Sequence, residues 1–502
     1  MKSGLDLLSR FGARYRRCVQ SASLLATATF AGCAVGPNFE PPKPPQVSGY
    51  SQQSQAEHTA STDLHGGAAQ HFVKGLDIPG QWWRLFHSPE LNTIIKSALN
   101  ANPSLQVAQA TLRQAKEQLY AGEGALFPTV NATASIAREK VSGAPLGSAS
   151  AVPIFTLNTA SLSVSYLFDV WGGTRRQIES LAAQAEFERF ELEASYITLT
   201  SNVVAAAVQE ASLRGQIAAT EEIIRIERQE LAALQRDFAI GATANTAVLA
   251  QTASLAQAQA QLPLLQKQLA LIRHQLTAFL GRFPSEPVAE TFNLDSLRLP
   301  ETLPISLPSA LVEQRPDIRA SEALLNEASA QIGVATANML PQITLSASYG
   351  SQSTRALFAP GSSIWNVGAG LAQPLFEGGR LLHERRAAIA AYDAAAAQYR
   401  DTVITAFQNV ADVLRALESD ADALAAQTTA ERAAADSLAA SRRQFRIGAI
   451  SYLSLLTAEQ AYQQARVGRV QAEATRFSDT AALFQALGGG WWNRKDIMDD
   501  TK

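Results

Sequence analysis

The chain has 502 residues, a formal net charge of −3, 47% hydrophobic and 17% charged residues. That composition excludes a disordered chain and a transporter built of many apolar spans. The near-neutral charge argues against nucleic acid as a partner, because general nucleic-acid affinity needs a basic face.

The first 32 residues read as a signal peptide. Lys2, Arg10, Arg14, Arg16 and Arg17 form a basic segment, followed by the apolar-to-small stretch 19–32. A spanning helix needs roughly 20 apolar residues, so this shorter run is a leader. It ends Phe30-Ala31-Gly32-Cys33, which is similar to a bacterial lipobox with Phe30 in place of the usual leucine. Cys33 is thus the predicted lipidation site, a covalent lipid being the only added group expected. The simpler reading is a small-residue cleavage site with an incidental cysteine. The only other cysteine, Cys18, lies in the leader, so no intrachain disulfide survives cleavage. Beyond the leader no continuously apolar run reaches 18 residues, the long uncharged stretches being rich in Ser, Thr, Asn, Gly and Pro, which argues against an inner-membrane helical pump.

After an extended segment over 33–80, one unit occurs twice. At an offset of 213, Pro103, Leu105, Leu112, Ala115, Leu119 and Pro128 meet Pro316, Ile318, Leu325, Ala328, Ile332 and Pro341. At an offset of 207, the segment from Arg236 matches that from Arg443. The copies cover 81–281 and 309–488, joined by a Pro-rich connector at 282–308 and followed by a tail at 489–502. In each copy a helix of about 25 residues is ended by Pro128 or Pro341, since proline cannot continue a helix interior. Alternating apolar and polar residues then predict strands at about 129–137 and 160–169 in the first copy, and 342–350 and 365–376 in the second. Loops rich in Gly, Ser, Ala and Pro fall near 138–158 and 351–364.

Long helical hairpins follow, at about 174–281 and 380–488. No proline occurs from Thr174 to Phe238. Ile178, Ala185, Leu192, Leu199, Ala206 and Leu213 recur at steps of seven. A second series holds Val203, Ile217, Ile224, Leu231 and Phe238, with Glu210 interrupting it. This is a coiled-coil seam, on a rod of roughly 100 Å. Gly241 and Gly448 free the backbone for the turn of each hairpin. The alanine-rich faces are either packed as a thin wall of helices or solvated.

Four strands cannot close a membrane barrel, whose known sizes start at about eight strands. An open edge in lipid leaves backbone groups unpaired at several kcal/mol each. Either the strands form a small sheet in water, or several chains share one barrel.

Four segments carry a family resemblance: CAVGPNFEPP from Cys33, QWWRLF from Gln81 with LNTIIKSALNANPSL from Leu91, YLFDVWGGTRR from Tyr166 (repeated weakly as PLFEGGR from Pro374), and LPSALVEQRPDIRASEALL from Leu307. In this order the chain resembles the TolC-type outer-membrane efflux factors, in their NodT-type lipoprotein branch. The resemblance implies an internally duplicated α+β membrane protein. Four transmembrane strands per chain, in a homotrimer, would make a shared 12-stranded barrel continued by a long α-helical coiled-coil barrel. It implies a passive exit duct, not an enzyme, lipid-anchored in the bacterial outer membrane with its helices in the periplasm. The implied partners are a periplasmic adaptor (membrane fusion) protein, an inner-membrane pump of the resistance-nodulation-division class and outer-membrane lipid. Family members narrow the pore at the hairpin tips. Leu453 stands at the leucine position, and Ser454 and Thr457 stand where aspartates form acidic rings. Leu453 is otherwise a helix-packing residue. The second tip carries Tyr452, Leu453, Leu455 and Leu456 against Asn245, Thr246, Val248 and Leu249 in the first. This contrast predicts a hydrophobic constriction at the second tip.

The rival function is a structural or adhesive surface lipoprotein with coiled-coil stalks. An enzyme lacks support. His383-Glu384 begins a zinc-protease-like pattern, but Ala387 stands where the second histidine belongs. No metal site and no phosphate loop is expected. Gly368 and Gly370 lie in a predicted strand and suggest close packing. Trp82-Trp83 and Trp491-Trp492 are either interfacial anchors or, the favoured reading, packing residues of the helical body.

Overall fold

A computed structural model describes residues 34–52, 56–140 and 154–494. The leader, Cys33, part of the first strand-connecting loop and the last residues of the tail lie outside the described residues. The described chain divides into two compact units. One comprises 34–41, 113–187 and 321–399, and the other 42–112, 188–320 and 400–494, less the masked positions.

Each copy opens with a short helix and a longer one. These are α1 (Pro89–Ala101) and α2 (Pro103–Glu123), and later α5 (Pro308–Gln314) and α6 (Pro316–Ala337). The longer helix is the one expected before Pro128 or Pro341, and a break separates it from a short helix that was not expected. The breaks at Asn102 and Arg315 have a common cause: both precede a proline, which pushes the preceding residue out of the helical region. Both residues are indeed extended, with ψ of 123° and 121°. Asn102 then caps α2, its side-chain oxygen accepting from Ser104 N at 2.9 Å and Leu105 N at 3.2 Å.

The first unit holds a four-stranded antiparallel sheet of β2 (Thr129–Glu139), β3 (Phe155–Phe168), β5 (Gln342–Ser353) and β6 (Ser363–Ala372), in that spatial order. Strands β2 and β3 run past the expected ends because they pair with each other as far as Glu139↔Phe155. Strand β6 stops at Ala372, short of the expected 376. Pro374 has no N–H for a ladder, and Leu375 and Phe376 are 92% and 89% exposed. Close packing at Gly368 and Gly370 is not found among the described residues. A Cβ there would meet its nearest atoms at 3.5 and 4.0 Å, ordinary contact.

At the base of β3 the DVWGGTR sequence works as a helix start. Asp169 accepts from Thr174 N at 3.0 Å and Arg175 N at 3.1 Å, capping α3 (Gly173–Ala239). Trp171 donates to Pro341 O at 2.7 Å. Arg176 reaches back to the N-terminal segment, donating to Val35 O at 3.1 Å and Asn38 Oδ1 at 2.7 Å.

The second unit contains a parallel pair, β1 (His71–Lys74) with β4 (Thr302–Ile305), so the connector contributes a strand. Its core gathers Trp82, Trp83 and Phe86 from a 3-10 turn, Ile94 and Ile95 of α1, and Phe477 and Phe484 of α8 (Tyr452–Ala486). Trp82 stacks on Phe484 with ring centroids 5.2 Å apart. The first tryptophan pair is therefore packing, not an interfacial anchor. Trp491 donates to Gln314 O at 2.8 Å and sits edge-on to Phe190.

Helices α3 and α7 (Arg380–Arg446) each run 67 residues, and α4 (Asn245–Phe279) and α8 each return over 35. The heptad series maps onto buried positions at Ala185, Leu199, Val203, Ala206, Leu213 and Ile224. Glu210, the interruption, is fully buried and paired with Arg214 and Arg273, each at 2.8 Å.

Candidate functional site

Two regions carry chemistry. The first is the sheet. Its continuous register sorts the side chains onto two faces. Val130, Ala132, Ala134 and Ile136 of β2 share a face with Leu162, Val164, Tyr166 and Phe168 of β3. Ile343, Leu345, Ala347 and Tyr349 of β5 continue it, and Trp365, Val367, Ala369 and Leu371 of β6 complete it. The opposite face is polar or bare: Asn131 and Thr133, Ser161 and Ser163, Thr344 and Ser346, Asn366 and Gly368. Ile136 is 77% exposed, Val367 73% and Leu371 70%. A water-soluble sheet buries its apolar face under other elements. This one leaves it open. Both outer strands, β2 and β6, have an edge with no partner strand among the described residues.

The second region is the pair of hairpin tips. Helix α3 ends in a Schellman turn: Ala242 N donates to Asp237 O at 2.7 Å around Gly241, whose φ is +76°. Helix α7 ends identically, with Ala449 N donating to Gln444 O at 2.9 Å around Gly448 at φ +72°. A Cβ on either glycine meets nothing within 4 Å, so a side chain there costs backbone strain alone. Gly448→Ala is therefore expected to destabilise the turn by roughly 1–2 kcal/mol. Faster hydrogen exchange confined to amides near 443–452 is the readout.

Among the residues predicted for a constriction, Leu453 is 68% exposed and Ser454 and Thr457 are exposed beside it. Ser454 N donates to Ser451 Oγ at 3.2 Å, so Ser451 caps α8 and Ser454 belongs to that cap. Ala244, its counterpart in the first hairpin, makes no side-chain cap. The other apolar residues that distinguish the second tip are not available to a pore. Tyr452, Leu455 and Leu456 are buried with Leu234 and Leu438 in the tip core. The expected hydrophobic constriction reduces, within one chain, to Leu453.

Sequence reasoning missed the polar network behind this core. Glu459 is 3% exposed and within hydrogen-bond reach of Glu230. Arg442 donates to both carboxylates at 3.2 Å. Glu227, also buried, accepts from Ser254 at 3.0 Å and Gln463 at 2.9 Å. Tyr452 donates to Gln251. Burial, and then the neighbouring Glu230, push the Glu459 carboxyl up to about 9, with Arg442 opposing. The folded tip thus keeps a proton that the unfolded chain loses near its ordinary value of about 4.3. Tip stability is fully present below that value and is lost as pH rises toward about 9. Protection factors of the tip amides, with the base-catalysed rise in intrinsic exchange divided out, should fall between pH 6 and pH 9, and Glu459→Gln should flatten that dependence. An unchanged pH profile in the variant refutes the assignment. In the sequence Glu459 stands out only as an acid near the tip, about two turns into α8, with nothing to say which way it faces; its partners Glu230 and Arg442 come from α3 and α7.

No helix among the described residues is long and apolar enough to cross a membrane, and no group of three or more metal-ligating side chains occurs among them. The profile of the outer membrane efflux protein family matches residues 94–282 and again 307–489. The pyoverdine export outer membrane protein OpmQ of Pseudomonas aeruginosa is 33% identical over 427 residues, covering 82% of this chain and 87% of OpmQ. The toluene efflux pump outer membrane protein TtgC of Pseudomonas putida is 29% identical over 479 residues, or 94% and 96% of the two chains. Among solved structures, the outer-membrane channel OprN superposes with a TM-score of 0.83 at 27% identity, over 91% of this chain and all of that one.

Proposed function

The chain belongs to the outer membrane efflux protein family, and on that footing we propose that it works as a homotrimeric exit duct, each copy pairing its β6 edge with the β2 edge of the next. One observation carries this reading: over most of its length the sheet has an apolar face left open, and two edges without a partner strand among the described residues. In lipid the face is satisfied at once, and only ring closure satisfies the edges. Three chains of four strands supply 12, within the range of known barrels. The polar face then lines the lumen. The protein is a component of an outer-membrane efflux system, conducting passively without catalysis.

An inner-membrane pump supplies the energy, and a periplasmic adaptor meets the hairpin tips, where Leu453, Ser454 and Thr457 narrow the pore. Cys33 carries the lipid anchor. The relatives' names pair the same architecture with cargoes as different as pyoverdine and toluene, which supports cargo selection outside this chain. The test is reconstitution. Purified protein should be trimeric in detergent and conduct in a planar bilayer. A monomer that leaves the bilayer sealed refutes the proposal.

A further inference from the structure

The loop between β5 and β6, residues 354–362, is tied down over one face of the sheet. Ser351 lies at the end of β5 away from the helices, yet it is only 2% exposed. Its register with Ala160 and Ser363 is unbroken, so its side chain shares the apolar face with Tyr349, Ala347 and Leu345. The Ser351 hydroxyl accepts from Phe358 N at 2.9 Å and lies 2.7 Å from Ser362 Oγ. Ser362 Oγ in turn donates to Ala359 O at 2.7 Å. Asn158, on the same face of β3, donates to Arg355 O at 2.9 Å. The backbone at 355 and at 358 is thus held from the apolar side.

Phe358 occupies the left-handed region at φ +61° and remains 76% exposed. A bulky side chain in that region is a true outlier, kept only where the surroundings fix it. Ser351, Ser362 and Asn158 fix the loop here, and it holds an aromatic ring out of the protein. Directly below, Tyr349 and Trp365 face each other in register, 66% and 75% exposed. Arg355 is exposed and makes no ion pair among the described residues.

We propose that this loop is a lipid hook: Phe358 inserts beside Tyr349 and Trp365 into the outer leaflet, and Arg355 engages a phosphate of a phosphorylated lipid headgroup there. The hook rests on the barrel reading above, because it continues the face that the barrel turns toward lipid. It places the loop beside the pore mouth and not across it. An Arg–phosphate contact at the leaflet surface fixes the depth of the barrel, with the aromatic rings at the headgroup boundary.

The experiment uses the full chain in liposomes, with both cysteines changed to serine and a single new cysteine labelled with bimane. At Phe358→Cys, quenching by brominated-acyl phosphatidylcholine should exceed quenching by aqueous iodide at least threefold. Val367→Cys, at mid-strand on the apolar face, serves as the control. Lipid quenching at 367 with iodide quenching at 358 overturns the hook and leaves the barrel standing. Lipid quenching at neither position sinks the barrel reading and the hook with it. For the headgroup, Arg355→Gln should retain at least threefold less lipid A in native mass spectrometry while single-channel conductance stays unchanged. Equal retention, or a raised conductance, overturns that contact.

Discussion

Val367→Arg is expected to abolish membrane assembly. Val367 sits midway along β6 on the apolar face and is 73% exposed in the single chain. An arginine at the lipid-facing midplane of a barrel costs about 2–4 kcal/mol per copy, and a ring of identical chains incurs that cost at every copy. The variant should accumulate as monomer in the aqueous fraction and give no bilayer conductance. Asn366→Arg is the matched control. One residue away, on the polar face opposite Ser348, it should insert normally and shift ion selectivity toward anions. If Val367→Arg assembles as well as the parent, the sheet is a water-exposed one and the duct reading fails.

The second large effect is expected at Arg476. Its side chain is fully buried, and its guanidinium donates to Gly66 O at 3.0 Å, Thr59 Oγ1 at 2.9 Å and Ala68 O at 2.7 Å. These bonds fasten the segment 59–68 to α8. Burial draws the Arg476 pKa down to about 10, with Asp420 opposing, so the group stays charged at neutral pH. Removing it strands its acceptors and leaves Asp420 beside Asp479 with less compensation. Arg476→Ala should cost roughly 3–5 kcal/mol, the range for breaking a buried charged contact. The readouts are a lowered melting temperature and new proteolytic cleavage within 56–71. Arg476→Met keeps most of the volume and should lose nearly as much, because the donors are what matter. A Met variant as stable as the parent assigns the effect to packing.

Much of the architecture was legible because it rests on short-range chemistry. Proline at 103 and 316, glycine at 241 and 448, and the alternation along 129–136 and 343–349 act through the backbone of a few neighbours. The resemblance segments resolve into the same kind of local function. Asp169 in one of them caps α3, and Trp82 in another fills the core. What stayed hidden depends on partners remote in the chain. Glu459 reads as an ordinary helical glutamate until Glu230 and Arg442 are brought to it from two other helices. Leu455 and Leu456 read as pore-lining because sequence difference between the copies marks specialisation without saying whether inward or outward. The short helices α1 and α5 were not predicted, because 13 and 7 residues hold too few apolar positions to establish a period. The exposure of Leu453 belongs to a single chain, and a pore role would belong to the proposed trimer.

The two unpaired sheet edges have a genetic consequence. They are different surfaces, so a ring joined through them is head-to-tail, and every chain both gives an edge and receives one. A copy damaged in β6 alone still offers a sound β2 and enters the ring, leaving one seam unsealed. In a cell making equal amounts of parent and such a variant, random assembly of three leaves only about one ring in eight wholly parental. Lesions in β2 or β6 should therefore be dominant over a normal allele, whereas lesions that prevent the chain from folding at all should be recessive.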